Sequence, residues 1–374
     1  MIHALIGPRQ VGKTTIARQI EGSIAIPFIY ATADSPLPPD AAWIETQWRR
    51  AVAAASPAGG PVLLVLDEVQ KVRGWSETVK LLWDARSSGL EIRLLILGSS
   101  ALLMQEGLTE SLAGRFFLHR CPHWAFPECR DAFGWNLNQW LFFGGYPGGA
   151  PFATDEITWK GYITDSLIET VLAKDVLQMT KIVKPTLLRH LFSLAATLPA
   201  QTVSYTKMLG QLQDAGNTTT LAHYLRLLEA AFLASGLELF SQGFQRRRGS
   251  SPKLILWNNA LVNALSTRTL EESLADPFWW GRLVENAVGG YLCNRLNSVE
   301  YTLTYWRQRD QEVDFVISRG RDVWAIEVKS GRSGKGSGLS RFRDRYPKAR
   351  ALMVGGPGIP LEEFFSKEPA AFLT

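Results

Sequence analysis

Cysteine is scarce in this sequence: Cys121, Cys129 and Cys293 are the only three in 374 residues. They cannot pair evenly and none lies in a CxxC motif, so a disulfide framework is not implied and they read as free thiols in a reducing compartment. Histidine occurs five times, never at the spacing of metal ligands, so zinc is not implied either. No run of about 18 apolar residues appears, which leaves nothing to cross a membrane as a helix and no membrane partner. The opening MIHALIGPRQ has no charged start, long apolar stretch or small-residue cleavage site. From these absences a cytoplasmic location is expected. Internal repeats are missing too, and the one low-complexity tract is the short SGRSGKGSG.

What is present is ordinary globular composition, 46% hydrophobic and 20% charged, over a length that calls for two or three domains. The net charge of +5 is not spread evenly. Residues 300–350 hold twelve Lys or Arg against seven Asp or Glu, an excess as large as that of the whole chain. A localised basic surface suits a phosphate-backbone partner such as DNA. A solvated face without a partner is an equally open reading.

The first 130 residues alternate strands and helices. HALIG, PVLLVL and RLLIL are continuous apolar runs of the kind buried in parallel sheets, and TTIARQI is a helix between them. An α/β domain with a parallel sheet covered on both faces is therefore expected over 1–130. Residues 131–180 read as an aromatic helical extension or lid. Three helices then follow, PTLLRHLFSLAATL, SYTKMLGQLQ and TTTLAHYLRLLEAAFL, the last capped by Asn217. A hairpin of GLELFSQ and KLILW comes next, and helix–helix–helix–hairpin over 181–260 is the order of a winged helix. Residues 261–374 open with a helix at GRLVENAVGGYLCNRL and continue with strands YTLTYWR, VDFVIS, DVWAIEVK and ARALMVG.

Residues 7–14, GPRQVGKT, match GxxxxGK[ST] between a strand and a helix, the context that motif needs. Gly7, Pro8, Arg9, Gln10, Val11, Gly12, Lys13, Thr14 and Thr15 are the expected binding segment for ATP. The glycines let backbone N–H groups turn toward phosphates, and the helix N-terminus adds partial positive charge. Lys13 suits the β- and γ-phosphates and Thr14 the Mg²⁺. The apolar run VLLVL ends in Asp67-Glu68, at the strand tip that faces the same crevice. Asp67 is a second magnesium ligand in this reading and Glu68 the group that orients or deprotonates water. Ser99 or Ser100, in LLILGSSA, would contact the γ-phosphate, a turn or cap being the plain alternative. Arg115 is a candidate arginine finger for a neighbouring subunit, or a surface salt bridge.

GPRQVGKT, LDEVQ, LGSSALLM and SLAGR together resemble a large prokaryotic family of predicted AAA-type ATPases that carry a C-terminal domain of unknown function with a nuclease-like core. The resemblance runs over essentially the whole chain, to EVDF and IEVKSG. It departs in three places. Family members usually have more residues before the phosphate loop, the segment after SLAGR is CPHWAFPE, and Asn258 stands at a position that is commonly acidic.

Asp314, then about a dozen residues, then Glu327-x-Lys329, resembles the PD-(D/E)XK nuclease core, a restriction-endonuclease-like α/β domain. Glu327 and Lys329 are two apart on a strand and share a face. With Glu285 from a helix, Asp314 and Glu327 form a candidate oxygen-ligand set for Mg²⁺, and Lys329 would orient or stabilise the attacking water. A buried charge network, or a nuclease fold that binds DNA without cutting, accounts for the same residues. Arg246, Arg247 and Arg248 in the hairpin loop, and His223 and Arg226 on the third helix, could meet phosphates or bases. Trp279 and Trp280 read as packing residues.

The function expected from all of this is that of an oligomeric ATPase that binds and remodels DNA. A nucleotide-holding signalling switch of the STAND kind, and an ATP-regulated nuclease, are the alternatives.

Overall fold

Apolar runs of the first third of the chain become five parallel strands, and their order decides where the phosphate loop lies. We describe the protein from a computed structural model, and the description covers all residues except 38, 56–59, 87–88, 100, 177–181, 183, 213–215, 242–250 and 332–336. Two units form, Met1–Pro122 and His123–Thr374. Ser100, and the arginines 246–248 of the hairpin loop, lie outside the described residues.

In the first unit the strands are β1 (Ile2–Ile6), β2 (Phe28–Thr32), β3 (Val62–Asp67), β4 (Ile92–Gly98) and β5 (Phe116–Arg120), in the order β2-β3-β4-β1-β5. All pairings are parallel, so the carboxyl ends of β1, β3 and β4 point the same way. β3 and β4 are apolar without alternation because both faces are covered: Leu64, Val65, Leu66 and Ile96 are fully buried. Helix α1 (Lys13–Ser23) lays Ala17, Ile16 and Ile20 on Leu5, Val65, Leu95 and Leu97. β2 and β5 are the sheet's edges, and their residues are half-buried or exposed.

The second unit contains the three successive helices, Pro185–Thr197, Tyr205–Gln211 and Thr218–Ala230. Ser204 caps the second by accepting from Lys207 N, and Asn217 caps the third by accepting from Thr220 N at 2.8 Å. β6 (Ala234–Leu237) and β7 (Lys253–Leu256) then pair antiparallel. The helix Pro277–Arg295 starts at Asp276, whose carboxylate accepts from Phe278 N and Trp279 N. A four-stranded sheet follows, β8 (Thr302–Gln308), β9 (Gln311–Arg319), β10 (Asp322–Lys329) and β11 (Arg350–Gly355), in the order β11-β10-β9-β8. Only β10 and β11 are parallel.

Buried asparagines tie this unit together. Asn286 accepts from Leu256 N at 2.9 Å and donates to Leu256 O and Asn259 Oδ1. Asn259 in turn donates to Leu141 O and Leu283 O, and Asn263 donates to Phe142 O. Asn258, which replaces the acidic residue of the resemblance, accepts from Gly145 N and Ala260 N. A Cβ on Gly144 would lie 1.8 Å from its Oδ1, so this position closes a turn rather than supplying chemistry. Each amide satisfies backbone groups that no water reaches. Asn286→Ala strands the Leu256 N–H and C=O in the core and is expected to cost roughly 2–4 kcal/mol, read from urea unfolding of the chain.

Candidate active site

Between Ile6, the end of β1, and Lys13, the start of α1, the chain reverses within six residues. Gln10 (φ 59°) and Gly12 (φ 101°) take left-handed backbone to do so. Gly7 allows a close approach: a Cβ there would sit 2.0 Å from Cys121 O, just past the end of β5. Gly12 is the N-cap of α1 and offers no side-chain cap, which leaves the first N–H groups of the helix for an anion.

Lys13 is 7% exposed, and its Nζ donates to Gly7 O at 2.9 Å and Pro8 O at 2.6 Å. Burial lowers its pKa, against the opposing pull of Glu68, Cys121 and Asp67. The loop thus carries its own cation inside its curl, held by carbonyls until a better acceptor arrives.

Asp67 at the tip of β3 is buried. Its Oδ2 accepts from Thr14 Oγ1 at 2.8 Å and from Tyr30 OH at 2.6 Å. Thr14 and Asp67 lie 53 positions apart in sequence and meet because β1 and β3 both flank β4. The Tyr30 phenol is pushed up to about 12, first by burial and then by its hydrogen bond to Asp67. Glu68 follows in left-handed backbone (φ 54°), which turns its carboxylate back to the strand tips. There its Oε2 accepts from Gln70 Nε2 at 2.7 Å and from Ser99 Oγ at 3.1 Å.

A hydroxyl and a carboxylate in direct contact beside a phosphate-sized backbone curl are a fitting donor set for a nucleotide-bound Mg²⁺. Thr14, Asp67, Glu68, Ser99 and the loop 7–14 converge here. Tyr30 and Gln70 were missed: each is one polar group in an edge strand or a turn, without a motif around it.

Arg115 lies elsewhere. Its guanidinium forms a bidentate pair with Asp84, both contacts 2.8 Å, and its carbonyl accepts from Ile2 N. That is where β1 begins, at the opposite end of the strands from the phosphate loop.

With this geometry in hand, the chain can be set beside known proteins. Residues 1–129 match the family model described as an AAA domain. This supports a P-loop ATPase of the AAA type in the first unit. Residues 134–272 and 280–358 match two further models, each described as a domain of unknown function (DUF8612 and DUF4143). No curated protein matches the chain. Among solved structures, a Walker-type ATPase of Pyrococcus abyssi is similar at 13% identity and a TM-score of 0.46, covering 71% of this chain and 90% of that one. The Aeropyrum pernix ORC1 protein, solved in complex with DNA, is similar at 15% identity and a TM-score of 0.28, covering 73% and 88%. Both TM-scores are under 0.5. No described helix is long and apolar enough to cross a membrane.

The second cluster is in the other unit. Glu285 and Asp314 come together there, joined by Glu312, with one carboxylate oxygen of each within 4.8 Å of the others. Among them sits Lys253, fully buried at the start of β7, its Nζ 2.6 Å from Glu285, 2.9 Å from Glu312 and 3.6 Å from Asp314. Burial alone would lower this ammonium's pKa, but Glu285, Asp314 and Glu312 outweigh it and the net shift is upward. Glu285 is shifted up by burial, with Lys253 opposing. Glu327 lies beside Asp314, pairs with Lys329 at 2.7 Å, and is also raised by burial and then by Asp314. Asp314 Oδ2 accepts from Val328 N.

These residues do not fit Mg²⁺ as they stand, because a cation already holds the centre. At an effective dielectric of about 20, a divalent ion some 4 Å from the ammonium would be repelled by about 8 kcal/mol. Sequence reasoning missed Lys253 and Glu312. Nothing in KLILW marks a lysine that folds into a distant sheet.

For the nucleotide site, Thr14→Val is expected to weaken binding of a fluorescent ATP analogue roughly 10–100-fold in Mg²⁺, as loss of a metal contact does. In EDTA the affinity should change little.

Proposed function

We propose that this protein is an ATP-hydrolysing AAA-type ATPase and that DNA is the partner on which it acts. The observation that carries the reading is the Thr14–Asp67 contact at the mouth of the phosphate loop, with Glu68 and Ser99 beside it. In this reading Lys13 leaves the carbonyls of Gly7 and Pro8 for the β- and γ-phosphates. Thr14 and Asp67 hold the Mg²⁺, which would neutralise charge on the phosphates and the leaving oxygen. Glu68 orients the attacking water and takes its proton, and Gln70 and Ser99 keep that carboxylate in place. Tyr30, hydrogen-bonded to Asp67, fixes the direction of the metal-binding carboxylate.

Support for DNA comes from charge and from element order. Arg307, Arg309, Arg321, Arg341, Arg343, Arg345, Lys348 and Arg350 are exposed, and three of them share the helix Ser337–Arg345. The three helices and the hairpin have the order of a winged helix, with His223 and Arg226 exposed on the third helix. Subunit rearrangements driven by ATP would then move or reshape bound DNA, including branched junctions. Arg115, released from Asp84, would serve a neighbouring subunit's nucleotide in a homo-oligomer.

The test is ATP hydrolysis by the full chain with duplex, single-stranded and four-way-junction DNA. Stimulation by one form, lost in Lys13→Ala, is the expected result. Glu68→Gln should lower kcat roughly 10²–10⁴-fold while nucleotide still binds. Hydrolysis indifferent to every DNA would sink the DNA reading and favour a nucleotide-held switch acting through proteins.

A further inference from the structure

The carboxylates of the second unit are matched by cations of the same chain. Glu285, Glu312, Asp314 and Glu327 face Lys253, Arg282, Arg307 and Lys329 at ion-pair distance. The balance is therefore four against four among the described residues. Three of these cations reach in from the edge, but Lys253 is fully buried at the centre. Its Nζ also donates to Asp314 O, so carboxylate and backbone oxygens surround it. Oxygen ligands converging from two elements, the strand β9 and the helix Pro277–Arg295, resemble the coordination shell of a metal, and here the shell closes on an ammonium. A divalent ion could enter only by expelling Lys253 or by leaving a buried excess of positive charge.

We propose that Lys253 is the resident cation of this cluster, standing in the place of a divalent metal, and that the C-terminal sheet consequently binds no Mg²⁺ or Mn²⁺. The lysine belongs to the hairpin strand β7 and the carboxylates to β9 and the helix Pro277–Arg295. The ammonium therefore also fastens hairpin to sheet. This inference is independent of the ATPase reading, since no nucleotide enters it.

The experiment is Mn²⁺ titration of nucleotide-free full chain, followed by the paramagnetic resonance of free Mn²⁺, with thermal melting in parallel. Wild type should bind no Mn²⁺ at this cluster and its melting should not move. Lys253→Met, which keeps the side-chain length and removes the charge, should gain one Mn²⁺ per chain and melt higher when Mn²⁺ is present. The gain should vanish in Lys253→Met/Asp314→Asn. If Lys253→Met does not fold alone, Mn²⁺ in the refolding buffer should recover it. Wild-type binding that Asp314→Asn abolishes would overturn the proposal. So would a Lys253→Met protein that neither binds Mn²⁺ nor is rescued by it.

Discussion

Burying the carboxylate of Asp67 at the tip of β3 constrains everything around the nucleotide site. A carboxylate out of water must have its oxygens engaged, and here one of them accepts from both Thr14 and Tyr30. Those donors come from α1 and β2, so the single oxygen joins the phosphate loop to an edge strand across the parallel sheet. The register follows: β3 must stand between β2 and β4, with all three carboxyl ends at one level. Once Asp67 is so placed, Glu68 has to turn back in left-handed backbone to reach the same crevice. The strain of that conformation is the kind held at functional sites. Lys13, buried against its own loop carbonyls, completes a site whose charges are arranged before any phosphate arrives.

The second unit solves a similar problem differently. Its acidic residues Glu285, Glu312 and Asp314 are half-buried around the fully buried Lys253, which occupies their centre. Removing one member of such a group leaves an uncompensated buried charge, which costs far more than the pair contributes. Neighbouring backbone is secured by neutral amides, Asn258, Asn259, Asn263 and Asn286, which satisfy chain turns that water cannot reach. The unit therefore combines a charged lock between hairpin and sheet with an uncharged lock between helices.

Motifs whose meaning is local were legible in the sequence. GPRQVGKT specifies its own backbone shape, and Asn217 caps a helix wherever the helix lies. The apolar runs of β3 and β4 announce double burial, and the helix–helix–helix–hairpin order follows from periodicity and turns. β2 and β5 escaped, although FIYA and FFL are short apolar runs at the sheet's edges. Glu285, Asp314, Glu327 and Lys329 were legible as residue types at a familiar spacing, while their surroundings were not. Asn258 shows the reverse: it looked like a lost acidic residue and is a turn-closing amide.

By itself, then, the sequence determined the phosphate loop, the acidic strand end after VLLVL and the succession of helices and strands. Each of these depends on neighbours within a few positions, where backbone sterics and hydrogen bonding act directly. Only the tertiary structure decided that Tyr30 shares an oxygen with Thr14, that Arg115 pairs with Asp84, and that Lys253 sits among the carboxylates. Those contacts join residues 31 to 61 positions apart, and they depend on strand order and on which charge is left inside when water is expelled.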